Sequence, residues 1–168
     1  MNLYIAISMH NNSTWVLRTL DWIVTSGAVE QEIEWLYVGV FDQGSRPGES
    51  DAVHHGLLEA SRSRDIDFEL QNVSGSHPAY RTAGLLAIDH GCDAVLTIKD
   101  PVQPDDESFM KLLVKLRDIE RPDAVVPAGG MFEFSLWKPE VLASIPSDLD
   151  TLIFDNLWEK AVIYWVSE

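Results

Sequence analysis

Short apolar runs of strand length alternate with segments of helical period along the whole chain, and this alternation constrains the fold more than any other feature. Leu3-Tyr4-Ile5-Ala6-Ile7 is a continuous hydrophobic strand. After the stop Met9-His10-Asn11-Asn12-Ser13, the residues Val16, Leu20, Ile23 and Val24 fall on one helical face. Asn12 or Ser13 is the expected N-cap and Gly27 the expected stop. Glu34–Phe41 reads as a second strand, Asp42–Gly48 as a loop, Asp51–Ser61 as a helix and Ile66–Leu70 as a third strand. Ala79–His90 is helical with Gly91 ending it, and Ala94–Ile98 is the fourth strand. Pro104-Asp105-Asp106-Glu107 opens a helix with acids at the positive end of its dipole. Two strands follow at Asp123–Pro127 and Phe132–Trp137, then a short helix near Glu140–Ser144, a helix around Leu152–Lys160 and a last strand at Val162–Val166. Such alternation calls for a mainly parallel sheet with helices on both faces, and for an active crevice beyond the carboxyl ends of the strands.

The 168 residues fit one domain, and 46% apolar content supplies a sizeable core. No apolar run approaches the roughly 18 residues that span a bilayer. Cys92 is the sole cysteine, which excludes an internal disulfide and a Cys-rich zinc site and points to a reducing, cytoplasmic setting. Twelve Lys and Arg stand against 27 Asp and Glu, a net charge of −15. That balance disfavours nucleic acid and anionic lipid as partners. A nucleotide must then be met locally by a few cations, by backbone N–H groups or by a metal.

The chemistry belongs to the loops after strands one, two and four. Ser8-Met9-His10-Asn11 exposes backbone and side-chain donors at a strand end, and Asp42-Gln43-Gly44-Ser45 offers an acceptor beside a glycine that permits close backbone approach. As residue types, both are also ordinary turns. Neither a dinucleotide glycine fingerprint, nor a P-loop, nor a G-x-S-x-G elbow is present. His54 and His55 are adjacent, and adjacent helical residues do not face one ligand.

Taken in order, Ser8-Met9-His10-Asn11, Phe41-Asp42-Gln43-Gly44-Ser45, Tyr80-Arg81-Thr82-Ala83-Gly84 and Ile98-Lys99-Asp100 resemble the family 2 glycosyltransferases of the GT-A fold. Those enzymes show a P-T-Y-N-like turn, a V-D-D-G-S loop, an A-R-N-x-G helix start and an L-D-x-D strand end. The resemblance covers residues 1–110, and continues more weakly through Gly130–Phe134 to Phe154-Asp155-Asn156-Leu157-Trp158, which is similar to the family's E-D-x-x-L motif. It implies a single GT-A-like domain over 1–168, with a nucleotide-binding half at 1–100 and an acceptor-side half at 101–168. The implied activity is inverting transfer of a sugar from a nucleoside-diphosphate sugar, such as a UDP-sugar, to an acceptor hydroxyl.

By the same resemblance Ser8, His10 and Asn11 line the nucleotide pocket, Asp42 binds the base and Arg81 lies near the nucleotide, where its fork of donors suits a base carbonyl or a phosphate. Beside these, Gly44 lets the backbone approach the ligand and Lys99 can offset pyrophosphate charge directly. Asp100 is what remains of the metal-binding D-x-D, for Mn²⁺ or Mg²⁺. Asp155 is the implied catalytic base, with Asp150 and Asp148 behind it; an inverting transfer needs a carboxylate to take the acceptor's proton. Asp105 and Asp106 read as helix-start residues, and Trp137 and Trp158 as core or as sugar-stacking rings. Two other classes stay open: a catalytically silent domain that binds a nucleotide or glycan, and a nucleotidyltransferase. The acceptor and any self-association into homo-oligomers are left open by the sequence.

Overall fold

The computed structural model describes residues 1–73, 76–118, 124–127, 134–145 and 163–166. Its seven strands form one sheet in the order β3-β2-β1-β4-β6-β5-β7. They are β1 (Asn2–Met9), β2 (Trp35–Asp42), β3 (Asp67–Asn72), β4 (Ala94–Ile98), β5 (Ala124–Pro127), β6 (Phe134–Trp137) and β7 (Ile163–Val166). The first four are mutually parallel, β6 runs antiparallel to both β4 and β5, and β7 is parallel to β5. The mainly parallel α/β architecture expected from the alternation is what forms.

Strand period 2 sends alternate residues to opposite faces, and the two cores follow from it. Leu3, Ile5, Ile7 and Met9 of β1 join Val38 and Val40 of β2 and Leu96 and Ile98 of β4 on one face. The helices α1 (Ser13–Thr25), α2 (Gly27–Glu32), α3 (Pro47–Ser63) and α5 (Asp106–Asp118) cover that face with Val16, Leu20, Ile23, Val29, Val53, Leu57, Phe109 and Leu112. On the other face Tyr4, Ala6, Phe41 and Val95 meet α4 (Ser76–Asp89) and α6 (Pro139–Ala143). There Gly39 leaves room for the Tyr4 ring to cross β2, where its hydroxyl donates to Glu69 Oε1 on β3 at 2.5 Å.

Several local expectations shift. Gly27 does not end a helix but begins one: α1 stops at Thr25, and Ser26 caps α2 by accepting the Val29 N–H at 3.0 Å. The third helix starts at Pro47, where a proline needs no N–H partner, rather than at Asp51. The third strand runs on to Asn72 because β2 reaches Asp42 and the two pair in register. The helix expected at Leu152–Lys160 lies outside the described residues. Trp137 is core: it is buried, and its Nε1 donates to Ser135 Oγ at 2.9 Å and to Thr97 Oγ1 at 3.2 Å. Cys92 is buried, and burial pushes its thiol up to about 11, so it is no nucleophile. Among the described residues no helix is long and apolar enough to cross a membrane.

Candidate functional site

The sheet order places a topological switch point between β1 and β4, since the chain runs from β1 outward to β2 and β3 and then returns to the other side of β1. Ligands of open α/β sheets bind outside the carboxyl ends at such a point. Here the loop after β1 carries His10, Asn11 and Asn12, and the loop after β4 carries Lys99 and Asp100. The Asn12 side chain spans the gap, its Nδ2 donating to Asp100 Oδ2 at 3.1 Å. Its Oδ1 accepts the His10 N–H at 2.9 Å, which fixes the orientation of the amide.

The loop after β2 is laced to the loop after β1. Asn11, at φ 52°, donates its N–H to Ser45 Oγ at 2.9 Å and accepts the Arg46 N–H on Oδ1 at 2.9 Å. The positive φ suits asparagine, which tolerates the left-handed region better than most residues. His10 Nδ1 lies 3.1 Å from the Gln43 carbonyl. A carbonyl only accepts, so Nδ1 carries the proton and Nε2 is left as an acceptor, 3.4 Å from Asn11 Nδ2. Gly44 turns the loop at φ 82°. Gln43 Nε2 is buried without a hydrogen-bond partner among the described residues, a donor that the sequence did not single out.

Asp42 differs from the expectation of an open carboxylate awaiting a base. It is 1% exposed, and its oxygens accept from the Ser45 N–H at 2.8 Å and from the Ser50 hydroxyl of α3. Burial alone raises its pKa, but the donors of Ser50, Ser45 and Gly44 outweigh it and hold the carboxyl below its ordinary value. Asp42 therefore organises the loop and the start of α3. In the first turn of that helix, Glu49 Oε2 accepts the Ser13 N–H at 3.0 Å, so Glu49 and not Asn12 caps α1. Ser8 is buried within β1, behind the loop rather than in it.

Asp42, Glu49 and Asp106 all have lowered pKa values. For Glu49 the chief cause is the Ser13 hydrogen bond, and for Asp106 the Ser26 hydroxyl. A folded-state pKa below the unfolded one adds stability that is complete above about pH 4 and is lost as pH falls through the lowered values. Asp42→Asn is expected to lower stability at neutral pH by about 1–3 kcal/mol, the scale for losing charged hydrogen bonds. It should also flatten the acid limb of the stability profile. Thermal unfolding between neutral and acid pH checks both; an unchanged acid limb would remove Asp42 from the set of acid-sensitive groups.

Arg81 is part-exposed in the second turn of α4, and Lys99 is exposed directly after β4. Asp100, the expected metal ligand, is exposed, bonded to Asn12 and adjacent in sequence to an ammonium. Among the described residues no three His, Cys, Asp or Glu side chains converge as metal ligands. A divalent cation at a diphosphate takes one or two carboxylates and completes its shell with phosphate oxygens and water; Asp100 offers one such carboxylate, hydrogen-bonded to Asn12 and next to Lys99. Asp105 accepts the Ser108 N–H and hydroxyl, both at 2.8 Å, and Asp106 accepts from Trp22, Ser26 and Ala28, so both serve helix starts. His54 and His55 are exposed on α3, His55 beside Glu59 at 3.6 Å. Asp148, Asp150, Asp155 and Trp158 lie outside the described residues.

No family model matches the chain, and no curated protein sequence does. Solved structures do. A mannosyltransferase of Pyrobaculum calidifontis, in complex with GDP-Man and Mn²⁺, superposes over 99% of this chain at a TM-score of 0.68 and 18% identity. The 4-diphosphocytidyl-2C-methyl-D-erythritol synthase of Anaerococcus prevotii matches over 99% at 0.65 and 14% identity. A Desulfovibrio desulfuricans protein described as a nucleotide-diphospho-sugar transferase matches over 99% at 0.59 and 13%. The fold is of the GT-A type. The chain spans 56% of the mannosyltransferase's length, and 86% and 80% of the other two.

Proposed function

We propose that this GT-A domain transfers a sugar from a nucleoside-diphosphate sugar to an acceptor hydroxyl, with inversion at the anomeric carbon. The observation that carries the reading is the switch-point crevice, where the loops after β1 and β2 are laced together and Asn12 bridges to the loop after β4. His10, Asn11 and the Gln43–Ser45 loop would meet the nucleoside, with Asp42 and Gly44 holding that loop in shape. Lys99 and Arg81 supply positive charge for the diphosphate. Asp155, or Asp150 behind it, takes the acceptor's proton. The acceptor oxygen bonds to the anomeric carbon as the diphosphate leaves from the opposite face with the electron pair. We assign the protein to a reducing, cytoplasmic setting and leave the acceptor class open.

Nucleotidyl transfer is the second reading, favoured by the fuller length match to the cytidyl enzyme. Against it, Ser8–Ser13 holds neither a glycine nor a cation to cradle a triphosphate. Product analysis separates the readings. Sugar transfer is expected to release a nucleoside diphosphate from a nucleotide sugar, slowly to water and faster with acceptor. Release of pyrophosphate from a nucleoside triphosphate and a sugar phosphate would replace it with nucleotidyl transfer. Nucleotide binding without turnover across a range of donors and acceptors would leave a silent recognition domain.

A further inference from the structure

In a chain with 27 acids and 12 cations, a lysine or arginine left unpaired stands out electrostatically. Some cations elsewhere are engaged: Arg117 pairs with Glu32 at 2.7 Å, Lys111 with Glu107 at 2.9 Å, and Arg64 donates to the Ile23 carbonyl at 2.9 Å. Among the described residues Arg18 and Arg62 are not, but both lie on helices away from the switch point. At the crevice, the Lys99 and Arg81 side chains make no hydrogen bond or ion pair among the described residues. Lys99 follows the central strand β4 at the switch point, and Arg81 lies near the start of the helix that covers the adjoining face. Asp100, which follows Lys99 in the chain, is bonded across the gap by an Asn12 amide whose orientation is itself fixed.

Among the described residues a divalent ion bridging a diphosphate here would meet Asp100, a carboxylate already hydrogen-bonded to Asn12, with an ammonium on the preceding residue. The same position suits the diphosphate directly. Lysine supplies a compact charge, and arginine a planar fork that matches two phosphate oxygens. We propose that this chain holds the diphosphate of its donor with Lys99 and Arg81 and without a divalent cation. The proposal rests on the nucleotide-sugar reading above and sets the way that site neutralises its ligand.

Calorimetric titration of the whole chain with UDP, and in parallel with GDP, tests it in chelator and in Mn²⁺. The affinity is expected to be the same in both buffers. Lys99→Gln and Arg81→Gln should each weaken diphosphate binding by about tenfold or more, the scale of a lost charge-assisted hydrogen bond. Uridine, which has no phosphates, should bind both variants as it binds the wild type, a pattern that a purely structural role would not give. Thermal unfolding should be unchanged, since neither side chain bonds to another part of the protein among the described residues. Diphosphate binding that strengthens about tenfold or more with Mn²⁺ would overturn the metal-free mode alone. So would wild-type affinity in both variants. Failure of UDP and GDP to bind in either buffer would overturn the nucleotide-sugar reading with it.

Discussion

Gly84→Ala is expected to destabilise the protein by about 3 kcal/mol, with a fall in Tm on the order of 10 °C. A Cβ at this position would lie 2.4 Å from the Ala143 N, 2.7 Å from the Pro139 O and 2.8 Å from the Leu142 carbonyl carbon. All three are backbone atoms of α6, so no side-chain rotation relieves the overlap and α4 and α6 must separate. The separation would loosen Leu142 and Ile145 from the core they share with Ala83 and Ala87. Gly56→Ala is the internal control. Its Cβ would overlap only the Cδ2 methyl at the far end of Leu17, with Leu20 Cδ1 in ordinary contact at 3.6 Å, and alanine is the better helix former. It should be close to neutral. Equal melting temperatures for the two variants would mean that the α4–α6 contact is not held closely in solution.

Asp155→Asn is expected to cut transfer turnover by roughly 100- to 10,000-fold while donor binding stays near normal, the range for losing a general base. The substitution keeps shape and hydrogen-bonding capacity but removes proton affinity at neutral pH. Asp155 stands in the segment similar to the E-D-x-x-L motif, and the family's preceding glutamate is Phe154 here, so in the proposed mechanism a single carboxylate would carry the role. Asp150→Asn should do much less. Steady-state rates with one donor and one acceptor rank the two variants, and the reverse ranking would move the base to Asp150. Comparable losses in donor affinity would instead make Asp155 a binding or folding residue.

What was legible in the sequence was local. Ala94–Ile98 is recognisable as a strand to the residue, because four apolar residues and the β-branched Thr97 between Asp93 and Lys99 leave no other boundary. Gly91 was legible as a helix stop, and it does take the left-handed conformation, at φ 65°. Pro47 and Ser26 are helix-start signals present in the chain, but the first falls inside the stretch that reads as a loop, Asp42–Gly48, and the second precedes a Gly27 that reads as an end rather than a beginning.

By itself, then, the sequence determined the order of strands and helices, the two apolar faces of the sheet and the loops that meet at its carboxyl edge. These follow from periods of 2 and 3.6 residues and from the turn chemistry of Gly, Pro and Asn, all of which act within a few positions. The tertiary structure decided how the polar residues are used. Asp42 is turned inward to Ser45 and Ser50, Glu49 caps a helix from a different segment, and Asn12 abandons its own helix end to bind Asp100. Asp42 finds its donors three and eight residues on, whereas the other two choices depend on a partner brought near by the parallel crossovers. A short polar side chain bonds to the donor or acceptor that packing places within about 3 Å of it, and no local pattern contains that distance.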